Sequence, residues 1–186
     1  MNNFDIGKVL ESITITIDTR EQDTDRLKRR IEEMQCNTER ACLNYGDYSC
    51  KCIMPGGEVL DFSTMAVIER KMNLDELCLC FGKERKRFKS EFERAKDNNC
   101  RVYLLIENAS WEHVLLGKYR SKYNSLALTA SILAWIPRYN IIPIMCKAET
   151  SGKLIKEIMY RELKEYLENL EEGGEAERDN SIPSSG

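Results

Sequence analysis

Two short strings in this chain carry residue types suited to hydrolysing a phosphodiester. The first is Gly46-Asp47-Tyr48. The second is Val67-Ile68-Glu69-Arg70-Lys71, followed one helical turn later by Asp75. Val67 and Ile68 read as a buried β-branched strand, and such strands do not ordinarily run into Glu-Arg-Lys. Alternation along a strand puts Glu69 and Lys71 on one face and Arg70 on the other. With Asp47 nearby, two carboxylates can hold a divalent metal while Lys71 points at the same spot. Hard cations such as Mg²⁺ take oxygen ligands, commonly one or two carboxylates plus substrate phosphate. Taken singly, each of these residues reads just as well as a member of a solvated salt-bridge cluster at strand ends.

The elements that must position them follow from periodicity and punctuation. Residues 12–18 alternate Ile and Thr and predict a first strand. Asp23, Thr24 and Asp25 supply caps for a helix to about Gln35, with Leu27, Ile31 and Met34 inward. A second strand is expected at 41–44, turning at Tyr45-Gly46. Residues 48–54 and 58–62 flank Pro55-Gly56-Gly57 as a long projecting hairpin, a candidate for gripping a substrate. The motif strand covers 66–71, and Asn73 caps a short helix through Leu79. A basic helix spans 83–98, with Phe88, Phe92 and Ala95 on one face. Residues 101–107 are a central strand, 111–117 a short helix, and 121–136 a buried helix stopped by Pro137-Arg138. Pro143 makes 141–146 an edge or irregular strand. Residues 150–170 form a long amphipathic helix, striped by Leu154, Ile158, Leu163, Tyr166 and Leu170.

Composition is that of an ordinary globular protein, with 32% charged and 42% hydrophobic residues in 186. That length suits one domain, placed at residues 1–170. The net charge is −3. Residues 171–186 hold five acids against Arg178, which leaves the first 170 residues at about +1, so the total does not exclude nucleic acid. This acidic, Gly- and Ser-containing tail is expected to be disordered. The eight cysteines show no Cys-x-x-Cys spacing and the one histidine is His113. Free thiols in a reducing intracellular compartment are therefore expected rather than zinc or disulfides. No secretory signal precedes the first strand, and the apolar run 126–136 is too short to span a membrane.

Taken together, Gly-Asp, then Glu-Arg-Lys, three residues and Asp, the chain resembles the XPF-type structure-specific nucleases of the PD-(D/E)XK superfamily. Ile17-Asp18-Thr19-Arg20-Glu21 is similar to that family's opening strand, residues 82–91 to its basic helix, and Leu104-Leu105-Ile106-Glu107 to its next core strand. The resemblance implies an α/β protein with a three-layer α/β/α restriction-endonuclease-like fold and a central mixed sheet. It implies a DNA endonuclease dependent on Mg²⁺ or Mn²⁺, with no small-molecule cofactor. Branched or flapped DNA in recombination or repair would be its substrate, in a phage or bacterial setting. Asp18, Asp47 and Glu69 would be metal ligands, and Lys71 would orient water or neutralise the phosphorus centre. Arg20, Glu21, Arg70 and Asp75 complete the implied catalytic set. Arg20, Lys83, Arg85, Lys86 and Arg87 would face DNA.

Alternatives stand beside several of these roles. Asp18 and Glu21 also fit as turn and capping residues. Arg20 fits an internal ion pair as well as a phosphate contact, and Asp75 fits a pair with Arg70 or Arg87. Nothing in 171–186 has the pattern of the family's tandem helix-hairpin-helix domain, so junction preference is not implied. A homodimer through the 121–136 and 150–170 helices is expected. The rival function is a DNA-binding or scaffolding subunit that needs a partner for activity. A restriction-type enzyme would share the chemistry but need a base-reading element.

Overall fold

The computed structural model describes residues 6–179, with side chains as far as residue 170. Strand β1 (Thr14–Asp18) pairs in parallel with β2 (Asn37–Ala41) and antiparallel with β3 (Tyr48–Ile53). The chain turns at Gly57 into the three-residue β4 (Val59–Asp61), which pairs with β3. Then come β5 (Ala66–Lys71), β6 (Arg101–Glu107) and β7 (Ile141–Cys146), in parallel register with one another. The sheet order is β2-β1-β3-β5-β6-β7, with β4 attached to β3. Among these strands β3 alone runs against the rest, so the sheet is mixed, as expected.

Helices cover both faces. One carries α1 (Ile6–Glu11), α2 (Asp25–Met34) and α7 (Ser151–Asp179). The other carries α3 (Leu74–Phe81), α4 (Arg85–Asp97), α5 (Trp111–Leu115) and α6 (Ser125–Tyr139). Strand alternation feeds two separate cores. Ile15, Ile17, Ala66 and Ile68 pack towards α2 and α7, while Val67, Leu104 and Ile106 pack towards α3, α4 and α6. The second core is aromatic: Phe81, Phe88, Phe92, Trp135 and Tyr139 form one continuous set of ring contacts. Thr24, Asn73 and Asn124 cap α2, α3 and α6 by accepting from the backbone N–H three residues on.

Because β1, β5, β6 and β7 are parallel and β3 starts beside their ends, one sheet edge gathers Asp18, Asp47, Glu69 to Lys71, and Glu107. The hairpin turn sits at the other end of β3, about 20 Å from Asp47 at ~3.3 Å per residue. It points away from that edge, so any contact of the hairpin with a substrate would lie apart from the carboxylates.

Other departures have local causes. The second strand lies at Asn37–Ala41 rather than 41–44, because Leu43 and Tyr45 are buried as loop residues. Helix α6 runs through Pro137 to Tyr139, whose ring packs on Trp135. It is buried on one side only, with Leu126, Ala130, Leu133 and Pro137 exposed. Helix α7 continues to Asp179; residues 180–186 of the acidic tail lie outside the described residues.

Candidate functional site

Gly46 makes the site possible. Its φ is +72°, and a Cβ there would stand 2.9 Å from the Val67 Cβ and 3.0 Å from its Cγ2. Only glycine lets this turn lie flat on β5. The next residue, Asp47, is then stitched to β5 and β1. The Asp47 N–H donates to the Ile68 carbonyl (2.8 Å), and its own carbonyl accepts from the Asp18 N–H (2.8 Å). Its Oδ2 accepts from the Arg70 N–H (2.7 Å). Asp47 is therefore fixed beside Glu69 by the backbone.

On β5 the alternation falls as anticipated. Glu69 and Lys71 share the aromatic-core face and are 5% and 8% exposed. The Lys71 ammonium hydrogen-bonds Glu69 Oε1, stands 4.0 Å from Glu76 Oε1 and lies 5.2 Å over the Phe88 ring. Burial and the neighbouring Glu69 push the Asp47 carboxyl up to about 8 against the pull of Lys71. Burial, with Glu91 adding to it, also raises Glu69. Burial opposes the charge on Lys71, but Glu69 and Asp47 outweigh it and its pKa rises. The edge thus holds two mutually repelling carboxylates and one ammonium.

Among the described residues, no three His, Cys, Asp or Glu side chains converge as a metal-holding group. Asp47 and Glu69 nevertheless fit a hard divalent cation, because both offer oxygen and both are destabilised as anions, Asp47 by burial and Glu69, Glu69 by burial and Glu91. Two carboxylates completed by water and substrate phosphate are a common Mg²⁺ arrangement.

In this structure the Asp18 carboxylate is engaged by Arg20 and the Leu43 N–H rather than by Glu69 or Lys71. It is fully buried, and its Oδ1 accepts from both the N–H and Nε of Arg20 (2.7 Å each). Its Oδ2 accepts from Arg20 Nη2 (3.1 Å) and the Leu43 N–H (2.8 Å). Burial works against this charge, but the Arg20 and Leu43 bonds hold the carboxyl below its usual value. Arg20 is thus an ion-pair partner, extended by a 3.7 Å contact with Glu91.

Asp75 is also drawn elsewhere. Its carboxylate takes Arg120 Nε (3.1 Å) and the Ser121 N–H (2.7 Å), which pins the loop before α6 to α3. The structure supplies Arg120 as its partner, not Arg70 or Arg87.

Arg70 and Glu21 meet on the opposite face, in a buried ionic network that sequence reasoning missed. Arg70 reaches Glu21 (3.2 Å) and Glu107 (3.3 Å). Arg30, 4% exposed, holds Glu107 (2.9 Å), the Tyr48 hydroxyl (3.0 Å) and Ser151 (3.2 Å). The Tyr48 hydroxyl donates to Glu21. Two signals were available. Glu107 ends an apolar strand just as Glu69 does, and Arg30 lies on the helix face of Leu27 and Met34.

Beyond Glu91 opens a groove of about 820 Å³, lined by Arg20, Lys83, Lys86, Arg87 and Arg94 with Glu84, Ser90 and Glu91. Four of the five cations expected to face DNA are here. Arg85 is not: it turns to the Phe81 carbonyl (3.2 Å), Ser131 (3.4 Å) and the Phe81 ring. Arg94 was missed, although it follows Arg87 by seven residues on one helix face. A small cleft lined by Gly46, Val67, Glu69 and Glu91 adjoins the groove, with Glu91 common to both.

A family model described as the ERCC4 domain matches residues 17–158, from the end of β1 into α7. Two solved structures share the fold. "XPF from Aeropyrum pernix" has a TM-score of 0.55 at 18% identity, covering 78% of this chain and 64% of that one. "XPF from Aeropyrum pernix, complex with DNA" has a TM-score of 0.56 at 19% identity, covering 80% and 63%. This chain thus spans less than two thirds of either. No curated protein matches it. The family match runs through the whole edge that gathers Asp18, Asp47, Glu69 and Glu107, and the chain belongs to the ERCC4 domain family.

Proposed function

We propose that this protein is an intracellular Mg²⁺- or Mn²⁺-dependent endodeoxyribonuclease that cuts branched or flapped DNA in repair or recombination, in a phage or bacterial setting. The observation that carries this is the pairing of Asp47 with Glu69 beside a buried lysine on one sheet edge. Asp47 and Glu69 would hold the cation. When bound, it lowers the pKa of a coordinated water and offsets charge growing on the phosphate. Lys71 stays protonated among its acids and is positioned by Glu69 and Phe88, ready to orient water or stabilise the phosphorane-like charge. Arg70, clamped by Glu21 and Glu107, holds the β5 backbone that carries both neighbours. The likeness in fold to an XPF structure described as a complex with DNA supports DNA as the polymer. We also propose a homodimer, built on the exposed apolar side of α6.

The test is cleavage of labelled single-stranded, duplex, fork and flap DNA with Mg²⁺ and with Mn²⁺. Wild type should cut at least one branched form. Glu69→Gln and Asp47→Asn should stay folded and lose more than about a hundredfold in rate, beyond the loss usual for outer-sphere partners of a metal. Normal cleavage by either folded variant sinks the assignment.

A further inference from the structure

We infer that Arg30 is a positioning residue for the Asp47–Glu69 pair, acting on it from the reverse face of the sheet through Tyr48 and Arg70. That the pair binds a metal rests on the nuclease reading; the coupling itself rests on geometry. Arg30 is 4% exposed on α2, and its guanidinium contacts Glu107, Glu21, Tyr48 and Ser151. Two short routes lead from it to the pair. Nη1 donates to the Tyr48 hydroxyl (3.0 Å), and Tyr48 follows Asp47 in the chain. Nε and Nη2 donate to Glu107 Oε1 (3.2 and 2.9 Å), and Glu107 Oε2 accepts from Arg70 (3.3 Å). Arg70 lies between Glu69 and Lys71, and its backbone N–H donates to Asp47 Oδ2 at 2.7 Å. One side chain therefore braces the neighbour of each carboxylate.

Arg70 depends on that brace. Its Nε is buried with no acceptor among the described residues, so Glu21 and Glu107 hold it by the terminal nitrogens alone. Those contacts, at 3.2 and 3.3 Å, are longer than the ~2.7–2.9 Å usual between a guanidinium and a carboxylate. Both acids are held in turn by Arg30, Glu107 at 2.9 Å and Glu21 at 3.6 Å. Without it, two buried acids would compete for Arg70. Arg30 has little freedom of its own. Helix α2 lies so close to α7 that a Cβ on Gly152 would stand 2.2 Å from the Arg30 carbonyl oxygen, and the Ser151 hydroxyl accepts a further bond from Nε (3.2 Å). A side chain locked this way on a rigid helix can hold others in register. Stability is a poor explanation for the cluster, because well-packed apolar residues often match or exceed buried ion pairs.

The experiment compares full-length wild type, Arg30→Met and Arg30→Lys, with Glu33→Ala as a control for the α2–α7 junction. Glu33 accepts from the Gly152 N–H (3.1 Å) and makes no ion pair with the cluster among the described residues. Amide hydrogen exchange in metal-free protein, read by NMR, should show the Arg70 N–H exchanging faster in both Arg30 variants. The Ile132 amide in α6 should keep its wild-type rate. Mn²⁺ titration followed by electron paramagnetic resonance should show affinity lower by about ten- to a hundredfold, the range for residues that orient metal ligands. Cleavage of flap DNA at saturating Mn²⁺ should lose kcat and keep KM, since Arg30 is buried away from any substrate. Arg30→Lys covers the case in which Arg30→Met does not fold. It keeps the buried charge but cannot bond Tyr48 and Glu107 together, so it should fall between wild type and Arg30→Met. Glu33→Ala should melt earlier yet leave Arg70 exchange and Mn²⁺ affinity unchanged.

An Arg70 amide that keeps its wild-type rate in folded Arg30→Lys overturns the inference. So does unchanged Mn²⁺ affinity in that variant where wild type binds the ion. An equal effect from Glu33→Ala also overturns it, because a loosened junction would then suffice. Failure of the nuclease reading is a different result: wild type that neither binds Mn²⁺ nor cuts, with the Arg70 response intact, so that the brace on Asp47 stands.

Discussion

Asp18 and Asp47 are joined by one backbone hydrogen bond of 2.8 Å, yet their side chains live under opposite electrostatics. Asp18 collects donors and is held below its usual pKa; Asp47 collects acids and is pushed up. The charge on the first is stabilised by its surroundings and the charge on the second is opposed by them. Asp18→Asn keeps the shape but turns an N–H₂ towards Arg20 or Leu43. We expect a loss of about 2–3 kcal/mol at pH 7, as for a buried hydrogen-bonded charge, read from urea melts. The pH dependence has a definite sign. With the folded pKa of Asp18 below an unfolded value near 3.8, its contribution is complete above that value and declines as pH falls through the folded pKa. The gap between wild type and variant should therefore narrow as pH falls below 3.8 and through the lower folded pKa. A gap that persists undiminished in acid would mean that packing, not charge, is lost.

At the scale of elements, the turn before β3 decides whether the edge assembles. Gly46→Ala adds a left-handed penalty of roughly 1–2 kcal/mol and a collision with Val67. We expect a lower melting temperature and slower cleavage even well below it, because the collision displaces β5 two residues before Glu69. Val67→Ala on that background removes only the Cγ2 contact and leaves the Cβ at 2.9 Å, so it should restore a small part of both; complete rescue would mean that the Cγ2 contact alone does the damage.

The same elements show what the sequence could disclose. The motif strand, the Asn73 cap and the central β6 were legible because their signals are local: alternation, a capping side chain, an unbroken apolar run. Strand β2 was not, since Asn37–Ala41 is a polar edge strand with no fully buried residue and hence no period of two. Arg30 escaped for another reason. It is buried more deeply than Ile31, which packs partly buried against the same core, because Glu107, 77 residues away, waits to receive it. The hydrogen bonds of Asp18 to Arg20 and the Leu43 N–H were not legible either, because the Leu43 N–H reaches it only once the loop after β2 is folded over it.

Across the whole molecule, apolar surface is unevenly spent. The inward stripe of α7, including Ile155, Met159, Leu163 and Leu167, is buried against the sheet and its helical neighbours, so that helix is no longer a candidate for association. Helix α6 keeps a second stripe in the open, with Leu126 77% and Leu133 50% exposed. Beside it runs the edge strand β7, where Ile142 is exposed as well. We expect light scattering across a concentration series to show a dimer, and Leu126→Asp/Leu133→Asp to give a folded monomer. A wild type that stays monomeric throughout would remove the dimer from the proposal. Within the described residues no helix is long and apolar enough to cross a membrane.

The aromatic core has a practical consequence. Trp135 is one of two tryptophans; it is 1% exposed, and its indole N–H meets no acceptor among the described residues. It stacks at 5.1 Å on Phe88, the ring that sits beneath the Lys71 ammonium. The indole is therefore one ring away from the charge that any bound phosphate must disturb, in a dry and rigid setting that favours short-wavelength emission. Trp111, half-exposed on α5, emits further to the red. Occupancy of the proposed Asp47–Glu69 site is therefore expected to change the intrinsic fluorescence, with no label attached to protein or DNA.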